Sequence, residues 1–164
     1  MPETLGGIPL HPLIVHAVVV LVPLAALLVL LSAVSGRFRS WSGLMTPLLA
    51  TAAMICVPLA TSTGEALEEN VEETALLEKH TEMGEQLTPW VIGMAVLAWA
   101  LWWLARRAAS AADTSRSGGP LLIAVAVLAV IAVAGSSVQV FRIGHSGAES
   151  VWSDTGSGSA TGDE

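Results

Sequence analysis

The stretch that decides the fold is GIPLHPLIVH at residues 7–16, which continues into AVVVLVPLAALLVLLSAVS at residues 17–35. No Lys, Arg, Asp or Glu occurs between Leu10 and Ser35. Because a helix needs about 20 apolar residues to cross a bilayer, this run is long enough to span a membrane. His16 already lies inside the run, where an ionisable side chain is costly and is therefore a candidate for a functional role.

The whole chain has the composition of a membrane protein. Of its 164 residues, 53% are hydrophobic and 13% are charged, and the mean hydropathy is +0.67. Soluble domains carry about 25% charged residues. A single cysteine, Cys56, excludes an internal disulfide and any cysteine-rich zinc or iron–sulfur site. Residues 1–7 contain no basic residue, so we expect a retained first helix rather than a cleaved signal peptide.

Four apolar runs predict four membrane spans, at about 13–35, 44–61, 87–104 and 121–141. We therefore predict an all-α, integral membrane four-helix bundle over residues 1–152. A disordered acidic tail is expected at residues 153–164, which are rich in Ser, Gly, Thr and Asp.

The distribution of charge predicts the orientation in the membrane. Five of the seven basic residues flank the connections after the first and third runs, namely Arg37, Arg39, Arg106, Arg107 and Arg116. The positive-inside rule makes that side cytoplasmic. Only one of the fourteen acidic residues, Asp113, lies there. Both termini and the middle loop are therefore expected on the extracytoplasmic side of a bacterial plasma (inner) membrane.

The middle loop, residues 63–86, predicts an amphipathic helix with an acidic outer face. Its glutamates are interleaved with apolar residues at helical spacing. His80 falls four residues after Leu76 and seven before Leu87, on the apolar stripe. The spacing therefore predicts that His80 faces the bundle.

All four histidines of the chain belong to the expected extracytoplasmic end. Three of them have a structural interpretation beside the functional one. His11 precedes Pro12 and could cap a turn, His16 could bond a backbone carbonyl, and His145 could lie at the C-terminal end of the last helix, where the helix dipole favours a cation. Glu65 and Glu149 could orient these imidazoles as hydrogen-bonded carboxylates.

Two cofactor chemistries fit this cluster. Two imidazoles on different helices can hold haem b, with His16, His145, His80 and His11 as candidates. A divalent metal, copper or zinc, suits imidazole with carboxylate, and the candidates are His16, His145, His80, Glu65 and Glu149. His16 and His145 are the preferred pair, since they lie at similar depth on different helices. His80 is the third candidate if the loop helix folds over the mouth of the bundle.

Helix geometry limits how the first two histidines can act. His11 and His16 are five residues apart, which places them about 140° apart around a helix. They cannot chelate one metal from a regular helix, so a site must be completed by other helices, or the two side chains have separate roles.

Other motifs are absent from the sequence. It contains no Cys-x-x-Cys-His for covalent haem, no Gly-rich phosphate loop and no His-Glu-x-x-His. The basic residues are too few and too scattered for nucleic acid. We assign no catalytic residue, and a stand-alone enzyme is not the favoured interpretation.

Four motifs resemble a known family: HPLIVH at 11–16, TGE at 63–65, KH at 79–80 with Gly84 and Glu85, and RIGHSGA at 142–148. They resemble the bacterial membrane family known as domain of unknown function 2231, over about residues 7–152. The resemblance implies a four-helix membrane protein. Some members carry the domain beside a Rieske-type iron–sulfur domain, which implies a redox setting. This chain has no such domain, and it has Ala17-Val18 where many members have Phe-Pro.

The sequence leaves three functional hypotheses open. The first is a small redox component that binds haem or a metal through the histidine cluster. The second is a non-catalytic structural or accessory subunit whose histidines are packing and capping residues. The third is a receptor-like module whose acidic outer helix binds a cation or a cationic partner. The expected partners are the lipid bilayer, a redox or other membrane protein, or a second copy of the chain.

Overall fold

The computed structural model describes residues 4–5, 8–68, 75–110 and 119–152. Two short strands, β1 (Thr4–Leu5) and β2 (Ile8–Pro9), pair antiparallel before the first helix. Six helices follow: α1 (Leu10–Val34), α2 (Gly36–Ser42), α3 (Met45–Glu68), α4 (Ala75–Glu85), α5 (Leu87–Ser110) and α6 (Pro120–Trp152). The tail predicted at residues 153–164 lies outside the described residues.

Four of these helices are long and apolar enough to cross a membrane. The candidate spans are Leu10–Val34, Met45–Ala66, Leu77–Ala109 and Pro120–Glu149. Their lengths meet or exceed the roughly 20 residues that a bilayer requires. The prediction of an all-α, integral membrane four-helix bundle is confirmed.

Each long helix packs mainly against two of the others, and these contacts close the bundle. Helix α1 packs against α3 and α6, and α5 packs against the same two helices. The interface is built largely from small and medium side chains, including Ala25, Ala50, Ala53, Ala98 and Ala129, which are buried together with Val22, Val29, Val91 and Met94. Small residues let helix backbones approach closely, which is how helices associate where lipid removes the hydrophobic driving force.

Helices α3 and α6 extend well beyond the apolar runs. Helix α3 continues through Gly64 to Glu68, and α6 continues to Trp152. The prediction that His145 lies at the C-terminal end of the last helix is therefore wrong, because it lies inside α6. The physical reason is that α3 and α6 both pack against α4, with Ser146 of α6 in contact with His80, and tertiary packing stabilises helix beyond the apolar segment.

Helix α4 lies over one end of the bundle and is joined to α5 by the single turn residue Gln86. The buried Gln139 of α6 fixes this joint. Its Nε2 donates to the Met83 carbonyl at 2.8 Å and to Gln86 Oε1 at 3.4 Å. The amide thus binds a backbone acceptor at the end of α4, where the helix pattern is interrupted.

The opposite end of the bundle carries the short helix α2. Ser35 caps it by accepting a hydrogen bond from the Phe38 N–H at 3.2 Å. Gly43 follows with φ of 51°, a left-handed conformation that glycine adopts without steric cost. Burial lowers the pKa of the Arg39 guanidinium, whose Nη1 has no hydrogen-bond partner within the described ranges.

Candidate ligand site

A cavity of about 440 Å³ lies at the end of the bundle where α1 begins and where α3 and α6 approach their ends. Helix α4 forms its remaining wall. Three of the four histidines line the cavity, among mainly apolar side chains. We call this cavity the histidine pocket, and its characteristic residues are His11, His16, His80, Val57, Val140 and Ile143.

His11 is half-buried in the first turn of α1 and reaches across to α3. Its Nδ1 lies 3.0 Å from the Ala60 carbonyl. A carbonyl only accepts, so Nδ1 carries the proton and, in the neutral ring, Nε2 carries the lone pair. The ring packs on Gly64, where a Cβ would come within 3.0 Å of His11 Cε1. The missing side chain at Gly64 therefore makes room for the imidazole.

His80 is held in the same way between α4 and α6. Its Nδ1 lies 3.0 Å from Ser146 Oγ, and the Ser146 hydroxyl donates to the Ile143 carbonyl at 3.0 Å. Because that hydroxyl has only one proton, it accepts from His80 Nδ1–H. The ring lies against Gly147, where a Cβ would be 3.2 Å from His80 Cε1. The spacing correctly predicted that His80 faces the bundle.

His16 is exposed at the edge of the pocket. Its Nδ1 lies 2.6 Å from the Pro12 carbonyl in the preceding turn of α1. Pro12 itself has no N–H, but its carbonyl can accept, so the hydrogen bond again requires a proton on Nδ1.

The three pocket histidines therefore share one tautomer. In each neutral imidazole the protein binds Nδ1–H, and the lone pair is on Nε2. A bond from one ring nitrogen to the protein fixes the tautomer and orientation of an imidazole that acts through the other nitrogen. Such a ring can accept a hydrogen bond or ligate a metal through Nε2.

His145 and the two predicted carboxylates do not line the pocket. The side chain of His145 is 68% exposed and that of Glu149 49% exposed, and His145 Nε2 lies 3.3 Å from Glu149 Oε1. His145 also stacks parallel to Phe141, with ring centroids 6.3 Å apart. Glu65 is exposed on α3. The structure thus does not bring the preferred pair, His16 and His145, to one cavity.

The position of His145 around the axis of α6 explains why its side chain lies outside the pocket. The residues of α6 that line the pocket are Val140, Ile143, Gly144 and Gly147. They follow the spacing of one helix face, and His145 is rotated about 100° from Gly144. Depth along the helix axis was the basis of the predicted pair, and depth contains no information on the direction in which a side chain points.

A metal ion held by protein ligands alone finds no suitable site among the residues that the structure describes. They contain no group of three or more His, Cys, Asp or Glu side chains that could hold one. The predicted set of His16, His145, His80, Glu65 and Glu149 is spread over the pocket and two exposed surfaces.

Sequence reasoning missed Ser146, Gly64 and Gly147 as partners of the histidine rings. A signal was present in the glycines of the RIGHSGA motif, which predict a close approach to the backbone near His145. The group that approaches Gly147 is the ring of His80. The sequence does not indicate which ring comes to which glycine, because that depends on the packing of α4.

Four membrane-length helices around a core of small residues, with a histidine-lined pocket at one end, define a polytopic membrane protein. The chain belongs to the family described as predicted membrane protein (DUF2231), whose model matches residues 7–158. The resemblance found in the sequence is thereby confirmed. Neither a curated protein nor a solved structure matches the chain.

Proposed function

We propose that this protein is a small redox component of the membrane that binds one hydrophobic, redox-active molecule in the histidine pocket. The observation that carries the proposal is the shared tautomer of His11, His16 and His80, in which the protein binds Nδ1–H and the lone pair is on Nε2. The volume of about 440 Å³ lies in the range of about 300–1,000 Å³ that is usual for ligand pockets. The apolar walls favour a hydrophobic ligand.

A b-type haem is a hydrophobic, redox-active molecule that imidazole nitrogens can bind. Iron in a porphyrin needs only one or two axial ligands from the protein, whereas zinc bound by protein needs three or four. His11 and His80 are the pair that we propose for a haem, because they lie on different helices and each ring is fixed by a hydrogen bond and a glycine. A bound haem would supply one-electron redox chemistry.

The experiment that tests the proposal identifies what the purified protein carries. Visible spectra in mild detergent, oxidised and reduced, would detect a haem, and mass spectrometry of an organic extract would detect other hydrophobic molecules. We expect a bound molecule that is lost in His80→Ala and retained in His145→Ala, whose side chain lies outside the pocket. A wild-type protein that carries no such molecule, or a molecule that His80→Ala also retains, would contradict the proposal.

A second candidate is an accessory subunit whose histidines only join helices. It is supported by the contacts themselves, because the His11 bond to Ala60 links α1 to α3 and the His80 bond to Ser146 links α4 to α6. The variant His80→Asn separates the two functions, since an asparagine amide can donate to Ser146 but has no Nε2. Loss of the bound molecule in a stably folded His80→Asn protein supports the ligand site. A His80→Asn protein that retains the bound molecule supports the accessory role.

We also propose that the pocket faces the extracytoplasmic side of a plasma membrane, with both termini on that side. The support comes from the basic residues at the opposite end of the bundle, which include Arg37 and Arg39 of α2 and Arg106 and Arg107 of α5. The electron partner would be a separate membrane or extracytoplasmic protein. The exposed Glu78, Glu82 and Glu85 of α4 lie beside the pocket and would favour a cationic partner surface.

A further inference from the structure

We infer that the molecule bound in the histidine pocket is a lipid-soluble hydroquinone that enters from the bilayer between α1 and α6. This inference rests on the proposed function, in which the pocket binds a hydrophobic, redox-active molecule, and it names the chemical class of that molecule.

The position of the opening supports entry from the bilayer. The exposed residues of the lining are Pro12, His16, Val19 and Gly144, all on α1 or α6. These two helices pack side by side. Val19 is nine residues from the start of α1, about 14 Å along the helix axis, and lies within the candidate span Leu10–Val34. The seam, which is the line of contact between α1 and α6, therefore opens at a depth where lipid surrounds the protein.

The other walls of the pocket are more closed. The lining residues from α3 and α4, such as Val57, Ala60 and Leu77, are buried or half-buried. A ligand that comes from water would have to pass α4, whereas a lipid-dissolved ligand meets the seam directly. Among the residues that the structure describes, those lining the pocket include no Asp, Glu, Lys or Arg, so a neutral ligand is favoured over a charged one.

The hydrogen-bonding groups of the pocket select the reduced form of a quinone. In their neutral state the three histidines have used their N–H groups on the protein and offer only acceptors at Nε2. A quinone also has only acceptors, and its carbonyls would gain nothing from these nitrogens. A hydroquinone carries two O–H donors at opposite ends of its ring. In an apolar cavity such donors need partners, because an unpaired polar group is costly to bury.

His16 has the position of the outer acceptor. It is exposed at the seam, while His11 and His80 are half-buried further in. We assign the outer hydroxyl of the ligand to His16 and the inner hydroxyl to His80, with the apolar tail of the ligand directed along the seam into lipid. A haem would not require an opening to lipid.

The test measures binding of two matched compounds to the full chain in mild detergent, by calorimetry under argon at pH 8, where imidazole is neutral. The probes are 2,3-dimethoxy-5-methylhydroquinone and the corresponding quinone. We expect the hydroquinone to bind about a hundredfold more tightly, since its two hydroxyls make two hydrogen bonds and each contributes close to a tenfold change in affinity. The variant His16→Leu should lower hydroquinone affinity about tenfold and leave quinone affinity unchanged.

Two further variants control this result. His16→Gln retains an acceptor oxygen and should keep most of the preference for the hydroquinone, which a general packing defect would not allow. His145→Leu removes an exposed imidazole outside the pocket and should bind both compounds as the wild type does.

The remaining outcomes separate the inference from the proposed function. Equal binding of the two compounds would overturn the inference and leave a hydrophobic ligand site. A protein that binds neither compound but carries a haem dependent on His80 would also overturn it, with the proposed function intact. A protein that binds neither compound and carries no hydrophobic molecule would overturn both.

Discussion

Three glycines decide which rings can approach the helices of this bundle. The ring of Trp90 on α5 packs across Gly135 of α6, and a Cβ at that position would overlap the ring. Gly64 and Gly147 receive the rings of His11 and His80. In each case an aromatic face lies on bare backbone, which only glycine provides. The same device thus serves packing between α5 and α6 and ring placement in the pocket.

Gly135→Ala should destabilise the bundle. The new methyl group would displace the Trp90 ring, and overpacking of this kind costs about 1–3 kcal/mol. Unfolding by SDS in mixed micelles would measure the change in free energy. Gly93→Ala on α5 is the matched control, because a Cβ there meets no atom within 4 Å, and it should be neutral or stabilising. Equal stability of the two variants would show that Trp90 does not pack on Gly135.

The tautomers of the histidines can be read directly by ¹⁵N NMR of histidine-labelled protein in detergent at pH 8. We expect Nδ1–H for His11, His16 and His80, because each Nδ1 donates to an oxygen of the protein. His145 is the internal control, and should be the Nε2–H tautomer, because its Nε2 faces the Glu149 carboxylate at 3.3 Å. Assignment would use the four single His→Asn variants. Nε2–H at the pocket histidines would remove the basis of the ligand proposal.

For single residues, the sequence predicted which face of its helix a side chain occupies better than it predicted which side chains from different helices lie close together. The spacing of Leu76 and His80 predicted the side of α4 that faces the bundle, since the faces of a single helix follow from its own spacing. The pairing of His16 with His145 needed the rotation of α6 relative to α1. That rotation depends on which small residues pack together in the core, and a single sequence does not specify it.

At the scale of elements, the joint between α4 and α5 positions α4, which forms one wall of the histidine pocket. Helix α4 contributes only eleven residues, too few to be stable alone. Its position depends on packing against α6 and α3 and on the hydrogen bond from Gln139 to the Met83 carbonyl at 2.8 Å. Because Gln139 is buried, this bond is made away from water, where a missing partner is costly.

Gln139→Leu should therefore loosen α4 without unfolding the four long helices. The loss of the donor leaves a backbone acceptor unpaired and should lower the local opening free energy by about 1–3 kcal/mol. Hydrogen exchange with mass spectrometry would show faster exchange in Ala75–Glu85 and unchanged protection in the middle of α1. Ser137→Ala is the control, since that hydroxyl donates to the Val133 carbonyl of its own helix. Unchanged exchange in α4 would mean that packing alone holds it.

The long helices could be predicted from apolar length, but their ends could not. The runs at 44–61 and 121–141 mark where the chain is apolar enough for lipid. Beyond them, α3 and α6 continue as polar helix into the packing with α4. The short helix α2 was not predicted, because its seven residues depend on the Ser35 cap rather than on any periodicity. Tertiary contacts and caps decide these ends.

For the whole molecule, the positions of the basic residues and of the histidine pocket together predict the orientation of the protein in the membrane. The beginnings of α1 and the ends of α3 and α6 meet at the histidine pocket, and α2 with the end of α5 lies at the opposite end, where Arg106 and Arg107 lie over the rings of Trp102 and Trp103. Tryptophan is enriched at both membrane interfaces, and the arginines favour the cytoplasmic one. The pocket should therefore face outwards.

Single cysteines in a Cys56→Ser background test this orientation with a membrane-impermeant maleimide. Glu78 on α4 and Ser40 on α2 are both exposed and lie at opposite ends of the bundle. Glu78→Cys should react in intact cells, whereas Ser40→Cys should react only after the membrane is opened, because the positive-inside rule keeps Arg37 and Arg39 in the cytoplasm. The reverse pattern would invert the topology and turn the pocket to the cytoplasm. Reaction of both in intact cells would contradict α3 as a membrane span, because α3 is the long helix between the two positions.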